Sequence, residues 1–163
     1  MANSANIQIN YSVINEKIAE ARRTAEDLAI TNLATIGEKA VQIARELAPP
    51  QSYHDQTGAL RSSIGYAVYV GKECKVGGEF VAVSPTGKNK DKSAEGIAAG
   101  KELLNKLSSG LSDDSVTLIV VAGMKYAVYV EDIYHKDVLT SAALLAKQIV
   151  PQLLYDLDAI EKK

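Results

Sequence analysis

The chain has 163 residues, a length suited to one domain, and 47% of them are hydrophobic, so a single core can form without disulfides or a structural metal. Lys and Arg number 18 against 20 Asp and Glu, and the resulting net charge of -2 supplies no basic field for a phosphate backbone. That balance argues against nucleic acid as the principal partner. Cys74 is the sole cysteine, which excludes an internal disulfide and any Cys-rich zinc pattern, and a buried, inert thiol is expected there. Residues 1–6 are polar and lack the charged and apolar regions of a secretory leader. No apolar run approaches the ~20 residues of a membrane span. A soluble protein of a reducing cytoplasm is the expectation.

In chain order, the first element is a long helix from Ser12 to Ala48. Ile14, Ile18, Ala21, Ala25, Leu28, Ile36, Ala40, Ile43 and Leu47 recur mostly at spacings of three and four. Ser12 is the expected N-cap, and Pro49-Pro50 ends the helix. At 1.5 Å per residue such a helix runs ~55 Å, against a diameter of about 40 Å for a compact chain of this size. Either it kinks near Thr35-Ile36-Gly37, or one end projects and finds a partner elsewhere.

A turn-rich stretch leads to Thr57, the expected N-cap of a short helical turn over Ala59 to Ser63. Ile64 to Val70 and Glu79 to Val83 read as strands, with a third stretch possible within Gly71 to Gly78. Ser84 to Ser93 is a polar, lysine-bearing loop, and a modest amphipathic helix follows over 94–107. Val116 to Ala122 is apolar almost throughout and is expected to be a central strand. Tyr126 to Glu131 is ambiguous between a strand and a helical turn, and is grouped here with the strand region 116–131. A last helix over Lys136 to Ile160 contains Pro151 and carries Val138, Ala142, Leu145, Ile149, Leu153, Leu157 and Ile160 on one face. Together these elements predict one α+β domain over 1–163. The long N-terminal helix and the C-terminal helix would pack on one face of a mainly antiparallel sheet of about four strands, with an inserted helix. The pentapeptide Tyr-Ala-Val-Tyr-Val occurs at 66–70 and again at 126–130. The flanks do not match, so it is read as a coincidence of strand-like composition.

Catalytic chemistry has little to build on. His54 and His135 lie in polar, loop-like settings, with no second ligand at metal-binding spacing. No nucleophile elbow, Walker loop or dinucleotide fingerprint occurs, and Gly77-Gly78 and Pro85-Thr86-Gly87 are turn punctuation. Lys88, Lys90 and Lys92 form a small basic cluster diluted by Asp91 and Glu95, expected to be a solvated loop or a docking segment. No catalytic residue, cofactor or metal is expected.

A resemblance does emerge from the order of motifs. A long helix ending in Ala48-Pro49 is followed by Thr57-Gly58-Ala59-Leu60-Arg61-Ser62-Ser63-Ile64. The apolar strand Val116 to Ala122 is then followed by Tyr126-Ala127-Val128-Tyr129-Val130-Glu131 and the small residues Thr140-Ser141-Ala142-Ala143. In this order, over about residues 12 to 157, the chain resembles the lambdoid-phage minor tail component family, the tail-completion or head–tail joining proteins of long-tailed phages. It departs from the family pattern at Asp132-Ile133-Tyr134, where a Gly-Thr is usual. It departs also at Gln56, where an acidic residue is usual and Asp55 stands one place earlier, and in the length of the segment 84–114.

The resemblance implies a non-enzymatic virion component of the neck or tail, assembled in the host cytoplasm. Its partners would be copies of itself in a ring and the adjoining neck or tail proteins, with no membrane and no specific nucleic acid. A ring needs one face of a subunit to fit a different face of its neighbour, and the long helix and the segment 84–114 are the candidate faces. Interface candidates are Thr57, Gly58, Leu60, Arg61, Ser63, Tyr126, Tyr129 and Glu131, with Lys88 and Lys90 from the loop. Arg61 and Glu131, the charges of the two motifs, are expected either to pair or to stand independently. Two other readings compete: a monomeric adaptor or assembly chaperone that holds a partner on its exposed helix, and, more remotely, a small hydrolase using His54 or Cys74.

Overall fold

The computed structural model describes residues 10–46, 53–86, 88–132 and 135–161. Pro49-Pro50 and Ile133-Tyr134 lie outside those residues, as do the side chains of Leu153, Leu157 and Ile160. Helix α1 spans Tyr11–Glu46. Its cap is Asn10 and not Ser12: the Asn10 Oδ1 accepts the backbone N–H groups of Ser12 (3.1 Å) and Val13 (3.4 Å). The helix passes through Thr35-Ile36-Gly37 without a break. Thr31 and Thr35 donate their hydroxyls to the carbonyls of Asp27 (2.9 Å) and Thr31 (3.0 Å), which absorbs their polarity inside the helix. Gly37 lies under the ring of Tyr66, where an added Cβ would overlap that ring.

The N-terminal end of α1 therefore projects, with no kink at Gly37. Residues 11–24 are exposed throughout, and the buried residues of α1 are Ile36, Gly37, Ala40 and Ala44. Near its other end, Arg45 donates to the carbonyls of Arg61 (3.2 Å) and Ile64 (2.6 Å), which fastens α1 to the start of the sheet.

Among the described residues the sheet has three antiparallel strands, β1 (Ile64–Val70), β2 (Glu73–Gly77) and β3 (Val116–Ala122), in the order β2-β1-β3. Two expectations fail here. The first is the strand over Glu79 to Val83, which is irregular. Gly77 and Gly78 both take positive φ (85° and 81°) and turn the chain off the β2 edge. The segment then bonds to a side chain instead of a ladder, with the Val83 N–H donating to the Ser62 Oγ at 2.8 Å. The second is the central position of the apolar strand. β1 is central and β3 is an edge; β3 is apolar because helices cover both its faces.

Alternation along β1 assigns those faces. Tyr66 meets α1 at Gly37, whereas Gly65 meets Phe80, which also contacts Gly100 in α3 (Ser93–Ser108). Helices α1 and α3 thus lie on opposite faces of the sheet. The inserted helix supplies a third layer, and its core cluster joins Ala67, Tyr69, Phe80, Leu104 and Val121. A second cluster, on the α1 side, joins Ala44, Tyr53, Leu60, Ile64, Ala127 and Val138. Helix α5 (Thr140–Glu161), with Pro151 inside it, lies against α1 and not against the sheet among the described residues.

Two short helices complete the fold: α2 (Ala59–Ser62) and α4 (Ala127–Asp132). Of the two alternatives open for 126–131, the structure has the helical one, α4, with the Val130 N–H donating to the Tyr126 carbonyl at 2.9 Å. Helical spacing turns Ala127 and Val130 inward and leaves Val128 and Tyr129 exposed. Cys74 is exposed on β2, contrary to expectation, because edge strand β2 buries little of its length.

Three glycines set how closely α3 approaches. A Cβ on Gly96 would overlap the Ala59 carbonyl, one on Gly100 would lie 2.7 Å from the Ser63 carbonyl and overlap Phe80, and one on Gly123 would overlap the α3 backbone at Ala99 and Gly100. Gly110, just past α3, has only one neighbour at 3.8 Å. Gly100→Ala is therefore expected to lose about 1–3 kcal/mol in urea unfolding, while Gly110→Ala stays within about 0.5 kcal/mol of the parent. Equal midpoints for the two variants would contradict the close packing.

Candidate functional site

The two motif segments, some sixty residues apart in sequence, meet in space. Ser63 joins them. Its hydroxyl donates to the Leu60 carbonyl (2.7 Å) and accepts the Met124 N–H (3.3 Å), while its carbonyl accepts the Gly123 N–H (3.1 Å). The first segment is shaped by Asp55, a buried residue whose Oδ2 accepts the Arg61 N–H at 2.7 Å inside the first turn of α2. Its carbonyl accepts both the N–H and the hydroxyl of Thr86, each at 3.0 Å, and so ties the polar loop down. The carboxylate that orders α2 is thus that of Asp55, and Thr57 is not the cap. Gly58 takes that position in a left-handed conformation (φ 74°) that L side chains rarely adopt, with the Val83 carbonyl against it.

Most of the first motif is occupied with structure. The Thr57 carbonyl accepts the Lys92 N–H (2.9 Å) at the start of α3, and its Oγ1 accepts the Ala59 N–H (3.4 Å). Leu60 is fully buried. Arg61 lies over the Tyr53 ring, 5.4 Å from its centroid, and donates to the Tyr53 carbonyl (3.4 Å). Glu131 accepts the N–H groups of Leu139 (3.2 Å) and Thr140 (2.8 Å) and the Thr140 hydroxyl, so it caps α5. Arg61 and Glu131 form no ion pair with each other, since each is committed elsewhere. Asp137 adds to the same cap by accepting the Ser141 N–H and hydroxyl.

Between these segments lies an open cleft of about 400 Å³. Tyr53, Asp55, Thr57 and Leu60 form one wall. Lys92 and Glu95, from the start of α3, form another, and Met124, Tyr126 and Val130 close it. The lining mixes the apolar Leu60, Met124 and Val130 with the charged Asp55, Lys92 and Glu95. Tyr126 stands at the rim, 39% exposed, and Tyr129 is 53% exposed beside Val128. Lys88 and Lys90 are exposed on the loop, while Lys92 is drawn into the cleft wall and pairs with Glu95 at 3.4 Å. His54 is exposed at the cleft, and the Cys74 thiol donates to the Val76 carbonyl, so no bond links the two. Among the described residues, no group of three or more His, Cys, Asp or Glu side chains could hold a metal ion.

Tyr53, Arg45, Phe80 and the α3 glycines Gly96 and Gly100 had no place in the sequence-based expectation. Gly96 and Gly100 carried a legible signal, because glycine four residues apart inside a helix costs stability unless something packs there. No family model, curated protein or solved structure matches the chain.

Two outcomes follow for this region. Ser63→Ala, which leaves the part-buried Met124 N–H without its acceptor, is expected to lower stability by about 1–3 kcal/mol in denaturant unfolding. Burial pushes the Tyr53 phenol well above the ordinary tyrosine range, with the Arg61 guanidinium opposing only in part. The unfolded chain ionises this group near pH 10, and the native chain holds its proton. Stability is therefore full below pH ~10 and falls as pH rises beyond it. Tyr53→Phe should flatten that alkaline decline, as read from unfolding midpoints between pH 9 and 11; an unchanged slope would remove Tyr53 from the account.

Proposed function

We propose that this chain is a structural, non-enzymatic subunit of a tailed-phage neck that acts in tail completion or head–tail joining. The observation that carries this reading is the exposed spur of α1. Tyr11, Ile14 and Ile18 are 70%, 43% and 51% exposed, and they continue through Ala21, Ala25 and Leu28 at alternating spacings of three and four. That is the seam of a helix that packs against another helix, and here its part over residues 11–24 is exposed to solvent. A monomeric enzyme has no use for some 20 Å of solvated helix, at 1.5 Å per residue, with isoleucines on one side. A subunit that must insert part of itself into a neighbour does.

The order of motifs supports the same reading. The segments that carry the family resemblance are those that build the cleft, and the cleft and the spur lie on different parts of the subunit surface. Two different faces are what a heterologous ring contact requires. Tyr126, Tyr129 and the loop lysines Lys88 and Lys90 are then the docking positions. Thr57, Gly58, Leu60, Arg61, Ser63 and Glu131 support them from beneath.

Ile18→Asp places a charge on the seam without touching the core. It is expected to leave the unfolding midpoint within about 0.5 kcal/mol of the parent and to leave heads and tails unjoined in lysates fractionated on a gradient. Normal joining by that variant, or by particles lacking the protein altogether, would refute the assignment. A protein that joins heads to tails but is recovered only in transit, and never in finished particles, would be the adaptor instead.

A further inference from the structure

Strand β3 is paired on one side only. Its register against β1 sets Val120 opposite Tyr66, Ile119 opposite Ala67 and Leu118 opposite Val68. Bonds just beyond its two ends fix which backbone groups that pairing uses. The Gly71 N–H donates to the Ser115 carbonyl (2.8 Å), and the Gly123 N–H to the Ser63 carbonyl (3.1 Å). Hydrogen-bonded residues alternate along an antiparallel strand. Thr117, Ile119 and Val121 therefore turn their N–H and C=O groups to β1, and Val116, Leu118, Val120 and Ala122 turn theirs outward. No described strand pairs with that outer edge.

The two edges of the sheet are treated differently. β2 is five residues long, carries the Lys75–Glu73 ion pair at 2.7 Å and has a register slip where β1 passes from Val68 to Tyr69. Charge, shortness and irregularity are the features that stop an edge from recruiting another strand. β3 has seven residues, Val-Thr-Leu-Ile-Val-Val-Ala, with no charge, no proline and a regular register. Helices cover both its faces, yet Val116 to Val120 remain partly open to solvent.

We propose that this edge is filled by β3 of a second copy of the chain, antiparallel, about a two-fold axis at Ile119. Three observations select that occupant. An uncharged strand meets its own copy without repulsion, and its branched side chains pair well across strands. The outward groups then match: Leu118 faces Val120 of the second copy and Val116 faces Ala122, so every outward N–H finds an outward carbonyl, about eight bonds in all. The same register brings the ends into charge complementarity. Asp113 and Asp114 precede the strand and Lys125 follows it, so the acidic end of each copy meets the lysine of the other, twice. Asp113 contacts Lys72 at 3.3 Å but stays 78% exposed, open to a second cation. A parallel pair would set acid against acid and lysine against lysine. The product is one continuous six-stranded sheet. The contact closes at two copies, uses none of the α1 spur and does not depend on the neck assignment.

The test is the mass of the full-length chain in solution, by sedimentation over a range of concentrations. The wild type is expected to be a dimer. Val120→Pro is expected to be a folded monomer, because the lost N–H points away from β1 and proline is tolerated at such edge positions. Lys125→Asp should weaken the dimer about tenfold, and adding Asp113→Lys should restore it. Ile18→Asp should leave the dimer intact. A monomeric wild type overturns the proposal, as does a dimer that survives Val120→Pro, a dimer that dissolves with Ile18→Asp, or a double reversal as weak as the single one. Should Val120→Pro fail to fold, the charge reversals decide.

Discussion

The close approach of α3 to the chain around Ala59 and Gly123 is the constraint on which the rest depends. Glycines at 96, 100 and 123 remove the side chains that would hold these backbones apart. Phe80 then fills the space between Gly65 and Gly100, and Ser63 can reach the N–H of Met124. From that contact the cleft acquires its walls, and the chain after β3 is turned sharply enough to coil into α4. Each helical glycine costs roughly 1 kcal/mol against alanine, a cost offset by burial of Phe80, Leu104 and Val121 in one cluster.

What the fold leaves unsatisfied is as informative as what it buries. A compact sheet with a helix on each face has room for about half of α1, and the other half extends beyond it with an apolar seam. The sheet ends on one side in a blunted strand and on the other in an uncharged, regular one. Both features are unfavourable for an isolated chain in water. Both become favourable once another surface covers them. The cleft between the motif segments is modest and open.

The motif residues illustrate how far sequence reading reached toward the site. Thr57, Gly58, Leu60, Arg61 and Ser63 drew attention as a group, and the structure brings them together with Met124 and Tyr126. Their roles are mostly internal: a left-handed cap, a core side chain, a cation over Tyr53, a bridge between segments. Residue type and spacing marked the place, but whether a side chain faces inward depends on neighbours far away in sequence. Asp55 shows the same limit, since its carboxylate reaches the Arg61 N–H only because the turn before α2 folds back.

By itself the sequence determined the elements whose signals are local. Strands β1 and β3 to the residue, the inserted helix and most of the extent of α1 were legible from periodicity and turn residues; whether α1 runs straight or kinks was not. Strand order, the opposite placement of α1 and α3 and the edge position of β3 were decided only in the tertiary structure. The pentapeptide Tyr-Ala-Val-Tyr-Val shows why. At 66–70 it is the middle of the sheet, flanked by two strands; at 126–130 it enters helix α4. Its intrinsic preference is the same in both places and is worth at most about 1 kcal/mol. At 66–70 ladder bonds on both sides outweigh any alternative. After Gly123 the backbone of α3 blocks extension, and a helical turn that buries Ala127 and Val130 is the conformation that remains.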